Sequence, residues 1–290
     1  MLAPVPPSWK DLGKSSNDLL SKDYNIHGSS LEVKTRAPNG VTFKVAGSRD
    51  KAGHISGDIE SKYTASNGIT FTPTWTTGNT LKSLVELDGQ LVKGLKLDLS
   101  TTLDPRSGAK SVGVTSAYKQ PGLHTRAFLD LFKGPTFTAD AVVGRDGFLL
   151  GAEASYDVTE AQIKKYNAAF GYSAPDYSVT FHGLSNLTTF SASYYHRVNK
   201  DVEAGAKAVY NTKSPSSAVN LEVGAKTYLD NAAFVKAKIN NAGMLGLGYT
   251  QALRPGVKAS FGAAIDTQKL GDASNAANAH SVGFSLTFDA

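Results

Sequence analysis

Few residues of this chain stand at the spacings that catalysis or metal binding needs. His27, His54, His124, His182, His196 and His280 are scattered, with no metal-ligand interval between them. No P-loop is present and no serine sits in a nucleophile elbow. The run Gly243-Met244-Leu245-Gly246-Leu247-Gly248 is glycine-rich, but no helical pattern follows it, so it is not a dinucleotide-binding turn. It reads as a strand kept slim where something packs close. Asp58 and Glu60 are two apart, which fits one hydrated face better than an acid–base pair. What remains is charge at alternating positions, with Lys34, Lys44, Lys62 and Lys96 as the prominent cations. The chemistry these can do is electrostatic, acting on ions near a wall and not on a bound substrate. The chain reads as no enzyme and implies no cofactor.

Two kinds of element must position these residues. Trp9, Leu12, Ser16 and Leu19/Leu20 recur at helical spacing, so the first is an amphipathic helix over about 8–20. Ser8 with Asp11 three residues on resembles a capping box, and Pro6 and Pro7 stand harmlessly outside. Such a short helix is marginal alone and needs a wall, either the inside of a cylinder or the face of a β-sandwich.

From Ile26 onward one motif recurs: about ten residues of alternating character, then a turn. Val41, Phe43 and Val45 oppose Thr42, Lys44 and Ala46. Leu95, Leu97 and Leu99 oppose Lys96, Asp98 and Ser100. Val235, Ala237 and Ile239 oppose Lys236 and Lys238. Pro38-Asn39-Gly40, Asn67-Gly68 and Arg145-Asp146-Gly147 supply turns. Dividing residues 26–289 by roughly 14 residues per strand and turn gives about nineteen strands. The unit is uniform, so the chain divides only into a segment 1–25 carrying the helix and a strand region 26–290.

Charged residues share a face with Gly, Ser and Thr, while the other face is Leu, Val, Phe and Ala, with tyrosines and Trp75 near strand ends. Short connections without a Greek-key crossover favour an all-β transmembrane barrel over a soluble sandwich. The composition agrees: 41% hydrophobic, 19% charged and no cysteine. No apolar run approaches the ~20 residues of a membrane helix. The opening MLAPVPPSWK lacks a basic region before an apolar core, so no secretory signal is expected. A net charge of +5 without a basic run suits small anions but not nucleic acid.

Three stretches point further. These are PPSWKDLGKSSNDLL near the start, Gly94-Leu95-Lys96 opening a strand, and YLDNAAFVKAKINNAGMLGLGYTQALRPGVK from Tyr228. Along its whole length the chain resembles the mitochondrial outer-membrane porins, the voltage-dependent anion channels (VDAC), and most of all their fungal members. The final SVGFSLTF resembles the sorting signal of mitochondrial β-barrels. Nineteen is this family's known strand number, so the division above is not independent of it. An odd number requires the first and last strands to pair in parallel.

The resemblance implies a barrel in the mitochondrial outer membrane with its amino-terminal helix against the inner wall. It implies a weakly anion-selective pore that passes ATP, ADP, phosphate and other small metabolites and closes partly at high voltage. Lys14, Lys22 and Lys96 match positions linked to nucleotide contact. Met244, Leu245 and Gly246, and more loosely Gly262 to Asp266, match a nicotinamide-nucleotide contact of some members. Membrane lipid, homo-oligomer partners and peripheral kinases also come with the family. Two departures limit the transfer. Ser21 to Ile26 lacks the glycine pair of many animal members, and Pro73 stands where they carry a lipid-facing acid tied to certain kinase contacts. Basic and acidic residues on the polar faces are nearly equal in number. Strong anion preference therefore needs clustering, as of Lys34, Lys44, Lys62 and Lys96 near the helix. A related protein-import pore and a soluble β-rich ligand-binding protein are the alternatives.

Overall fold

Alternation at every second residue puts one face of a strand toward an apolar phase and the other toward water, and a one-residue slip would exchange them. In the computed structural model, which describes residues 4–26, 28–132, 134–214, 218–270 and 280–289, this alternation builds a nineteen-stranded sheet closed on itself. The strands are β1 Gly28–Arg36, β2 Thr42–Arg49, β3 Ile55–Thr64, β4 Ile69–Thr76, β5 Leu81–Asp88, β6 Leu95–Leu103 and β7 Lys110–Gln120. Next come β8 Leu123–Asp130, β9 Thr136–Arg145, β10 Phe148–Asp157, β11 Gln162–Ser173, β12 Tyr177–Leu184 and β13 Thr189–Arg197. The last are β14 Val202–Asn211, β15 Val219–Tyr228, β16 Ala233–Asn240, β17 Met244–Arg254, β18 Val257–Asp266 and β19 His280–Asp289.

Each strand pairs antiparallel with the next. The ring closes by parallel pairing of β1 with β19, from Gly28 opposite Gly283 to Lys34 opposite Asp289. Asp146 and Gly147, with φ of 51° and 87°, form the two-residue turn between β9 and β10. Pro73 sits mid-strand in β4, where the β3–β4 pairing is interrupted between Glu60–Thr74 and Tyr63–Phe71 with the register kept. Proline has no N–H to give to the ladder there.

Large apolar side chains such as Leu31, Ile59, Trp75, Leu99, Phe170 and Phe284 stand exposed around the outside. An apolar surface of that extent needs a non-aqueous surrounding. Among the described residues no helix is long and apolar enough to cross a membrane, which leaves the crossing to the strands.

The buried apolar residues lie inside the ring: Trp9, Leu12, Leu19, Leu20 and Tyr24, with Val142 and Ala169 of the wall. The expected single helix over 8–20 is two pieces, a 3-10 turn Trp9–Asp11 and an α-helix α1 Lys14–Ser21. Gly13 separates them with φ of 72°, a left-handed conformation in which glycine costs least. The expected capping box is also corrected. The Ser8 hydroxyl donates to the Asp11 carboxylate at 2.6 Å, and neither piece has a side-chain cap. With the break in place, both pieces lay their apolar residues on the wall, and the whole expected stripe is buried. β1 starts at Gly28, not Ile26, because residues 24–26 still run inside the barrel. His27 lies outside the described residues.

Candidate functional site

The inner wall divides into an arc covered by the amino-terminal segment and an arc left bare. The segment crosses the strands in order. The Gly122 N–H, in the turn before β8, donates to the Pro4 carbonyl at 3.2 Å. The His124 imidazole Nδ1 lies 3.2 Å from the Pro6 carbonyl. Trp9 meets His182 of β12 edge-on, with ring centres 5.9 Å apart. The Ser16 hydroxyl donates to the Ala206 carbonyl of β14 at 3.2 Å. Beyond α1 the connector passes over β17, β18 and β19 before entering β1.

Small inward residues make this close approach feasible. Leu19 and Leu20 lie over Gly205 and Gly224. A Cβ at Gly248 would stand 2.7 Å from the Asp23 carbonyl oxygen, and one at Gly262 would stand 2.5 Å from the Asn25 backbone. Both contacts are with main chain, which cannot swing aside. The glycine run read from the sequence as a place of close packing therefore holds the chain's own connector.

Three wall lysines complete the docking. The last carbonyls of a helix have no partner within it and carry its negative end. Lys238 Nζ donates to the Leu20 carbonyl at 2.6 Å, and Lys236 Nζ to the Lys22 carbonyl at 2.8 Å and, at 2.9 Å, to the Asp18 carbonyl, which also accepts the Lys22 N–H. Lys207 Nζ donates to the Asn17 side chain at 2.8 Å. The Lys236 side chain is 3% exposed, which it tolerates because those carbonyls and the Asp23 carboxylate 3.5 Å away replace water. Between Lys236 and Lys238 lies the Tyr24 ring, 5.3 and 4.7 Å from their ammonium groups. Burial, with Glu222 and Asp23 adding to it, pushes the Tyr24 phenol well up from its ordinary value. At the other end of the segment, the Ser8 hydroxyl first and Lys14 second hold the Asp11 carboxyl below the usual range.

The bare arc is different. Lys34 faces Lys44 directly across the β1–β2 ladder, an arrangement that repels unless each finds an acid. Lys34 turns to Asp289 at 3.7 Å and Lys44 to Glu32 at 3.1 Å. Lys62 lies 3.8 Å from Glu86, and Lys96 bridges Glu86 and, at 3.3 Å, Asp98. The first two pairs are open enough to water that each is worth roughly 0–1 kcal/mol, while Glu86, Lys96 and Asp98 are more covered.

The expected residues are therefore distributed and not gathered. Lys14 and Lys22 stand on α1 and just after it, more than half exposed, paired with Asp11 at 2.9 Å and Asp18 at 2.7 Å. Lys34, Lys44, Lys62 and Lys96 do not cluster beside the helix, because α1 packs chiefly on β13, β14 and β15 while they lie on β1, β2, β3 and β6. Met244 gives its N–H to Asn240, and Gly246 is buried beneath Lys238 and Tyr24. Leu245 lies opposite Ile239 and Ile265 on the outward face, so it lines no pore. Lys207, Lys236 and Lys238 are the functional residues the sequence reading missed. Alternation marked them as inward, but nothing local showed that they reach a helix about two hundred residues away.

Residues 5–276 match the family model described as Eukaryotic porin. The mitochondrial outer membrane protein porin of Neurospora crassa is 46% identical over 98% of this chain and 99% of its own length. That of Candida albicans is 43% identical over 99% of this chain and all of its own length. The non-selective voltage-gated ion channel VDAC2 of Xenopus laevis is 36% identical over the same shares. Among solved structures, a variant porin of Rh. blastica aligns with a TM-score of 0.43 and 13% identity, covering 86% of this chain and 92% of that one, a likeness too loose to carry an argument.

Proposed function

The chain belongs to the eukaryotic porin family, and we propose that its bore is a weakly anion-preferring path for ATP, ADP, phosphate and other small hydrophilic solutes. It is a voltage-gated channel of the mitochondrial outer membrane, a multi-pass β-barrel and not an enzyme. Neither a protein-import pore nor a soluble ligand-binding protein is favoured.

The observation behind the weak preference is the pairing on the bare arc, where every one of the four lysines singled out has an acid within 4 Å. Paired charges leave a small average potential, while a passing anion can still exchange with a loosely held carboxylate. Selectivity then follows from the field of the wall and not from a fitted site.

The segment also bears on gating. Its side chains carry Lys10, Lys14 and Lys22 against Asp11, Asp18 and Asp23, so three positive charges offset three negative ones. Lifting it as a body moves no net side-chain charge, although each full charge crossing the field is worth ~2.3 kcal/mol per 100 mV.

The experiment is the reversal potential in a salt gradient across a planar bilayer. Replacing Lys34, Lys44, Lys62 and Lys96 with glutamate shifts it toward cations. An unchanged value removes the electrostatic account.

A further inference from the structure

The parallel closure leaves a notch in the outer wall. Because residues 24–26 run inside the barrel, β1 meets β19 only from Gly28 opposite Gly283 onward. Residues His280 to Val282 continue past that point, paired among the described residues with β18 on one side alone. The turn after β2 stands across the gap, and Lys51 Nζ donates to the His280 carbonyl at 3.4 Å. Between them lies a cavity of about 460 Å³, lined by Ser29, Arg49, Lys51, Phe261, Val282 and Phe284 among others.

Its two ends differ in chemistry. The floor is Phe261, Val282 and Phe284, all exposed on the outward face, Val282 at 73%. The mouth is Arg49, the last residue of β2 and outward by register, beside Lys51. Among the described residues neither cation has an acidic partner. Asp50 between them is engaged by the His54 N–H at 2.9 Å and the His54 ring at 3.2 Å. His280, on the same outward face, has a buried Nδ1 without a hydrogen-bond partner among the described residues.

We propose that this notch binds one anionic phospholipid, with the phosphate on Arg49 and Lys51 and an acyl chain along Phe261, Val282 and Phe284. The idea rests on the membrane-barrel fold and goes beyond the channel activity. A guanidinium beside an ammonium at the edge of an apolar band is suited to a phosphate, and long basic side chains at that level reach the headgroups. Free phosphate would leave the apolar floor bare. A second copy fits less well, because a two-fold interface repeats the same patch. The outward faces of β1, β2, β18 and β19 offer no carboxylate to meet the two cations.

The test uses the full chain in phosphatidylcholine vesicles doped with phosphatidylglycerol bearing a photoreactive acyl chain. Labelled peptides are mapped for the wild type, for R49Q/K51Q and for a control pair on the same rim, R106Q/K110Q. Conductance of the same preparations verifies the barrel and reports separately on the channel. The expected result is labelling concentrated on β18 and β19 that falls roughly tenfold in R49Q/K51Q and is kept in the control. A photoreactive phosphatidylcholine should show no such dependence. Equal labelling in all three proteins overturns the proposal, as does an equal fall in both variants. Displacement of the lipid by inorganic phosphate, or protein–protein crosslinks at Val282 in place of lipid adducts, overturns it too.

Discussion

The two arcs of the inner wall are built from the same alternating strands but solve different problems. From β8 round to β19 the wall faces a polypeptide, so it carries glycine where the backbone comes close and lysine where helix carbonyls need donors. From β1 to β7 it faces open water, and its cations find acids on their own or nearby strands. The difference shows that a lysine's role here is set by what stands opposite it. Lys236 and Lys44 both alternate with apolar residues, yet one anchors a helix and the other belongs to a loose surface pair.

Four variants sharpen or break that contrast. The largest effect is expected from Gly248→Val with Gly262→Val. Each side chain meets main chain under 3 Å away, so the connector is forced off the covered arc. Limited proteolysis should then cut within residues 4–25 while the strand region stays intact. A segment as protected as in the wild type would show that the close approach is unimportant. Next is Lys236→Met, which strips the ammonium from the part-buried Lys22 carbonyl and a second donor from that of Asp18, at about 1–3 kcal/mol. The midpoint of thermal release of the segment, followed by Trp9 fluorescence, should fall clearly. Lys44→Met, its bare-arc counterpart, should cost under about 1 kcal/mol and leave that midpoint unchanged. Equal effects of these two would erase the distinction between the arcs.

The smallest effect is the pH dependence of Tyr24. Its folded pKa is raised above the unfolded value of about 10, so the folded form holds its proton longer. The stabilisation is complete below pH ~10 and is lost as pH climbs through and beyond it. Tyr24→Phe should remove that alkaline component and nothing at neutral pH, measured as the same release midpoint against pH.

Much of this architecture was legible because strand sidedness has a period of two, so Leu31, Val45 and Leu99 declared their face without any partner being known. The stripe Trp9, Leu12, Ser16, Leu19 and Leu20 was equally plain, since helical spacing is local. What was hidden depended on the partner. Gly13 breaks the helix where it passes Ser193 closely, and no neighbouring residue signals it. The reach of Lys236 to Asp18 spans 218 positions in the chain. The expectation that Lys34, Lys44, Lys62 and Lys96 lie beside the helix failed for the same reason. Sequence shows that a residue faces inward but not which sector of the ring the helix will cover.

The most direct measurement exploits the absence of cysteine from the chain. Leu19→Cys is paired with Gly205→Cys on the covered arc, or with Ser100→Cys on the bare arc. Both proteins are treated with a short thiol crosslinker while conducting in a bilayer. Near-complete crosslinking to position 205 and none to position 100 is the expected result. Comparable crosslinking to both, or to position 100 alone, would mean that the segment does not rest where it has been placed.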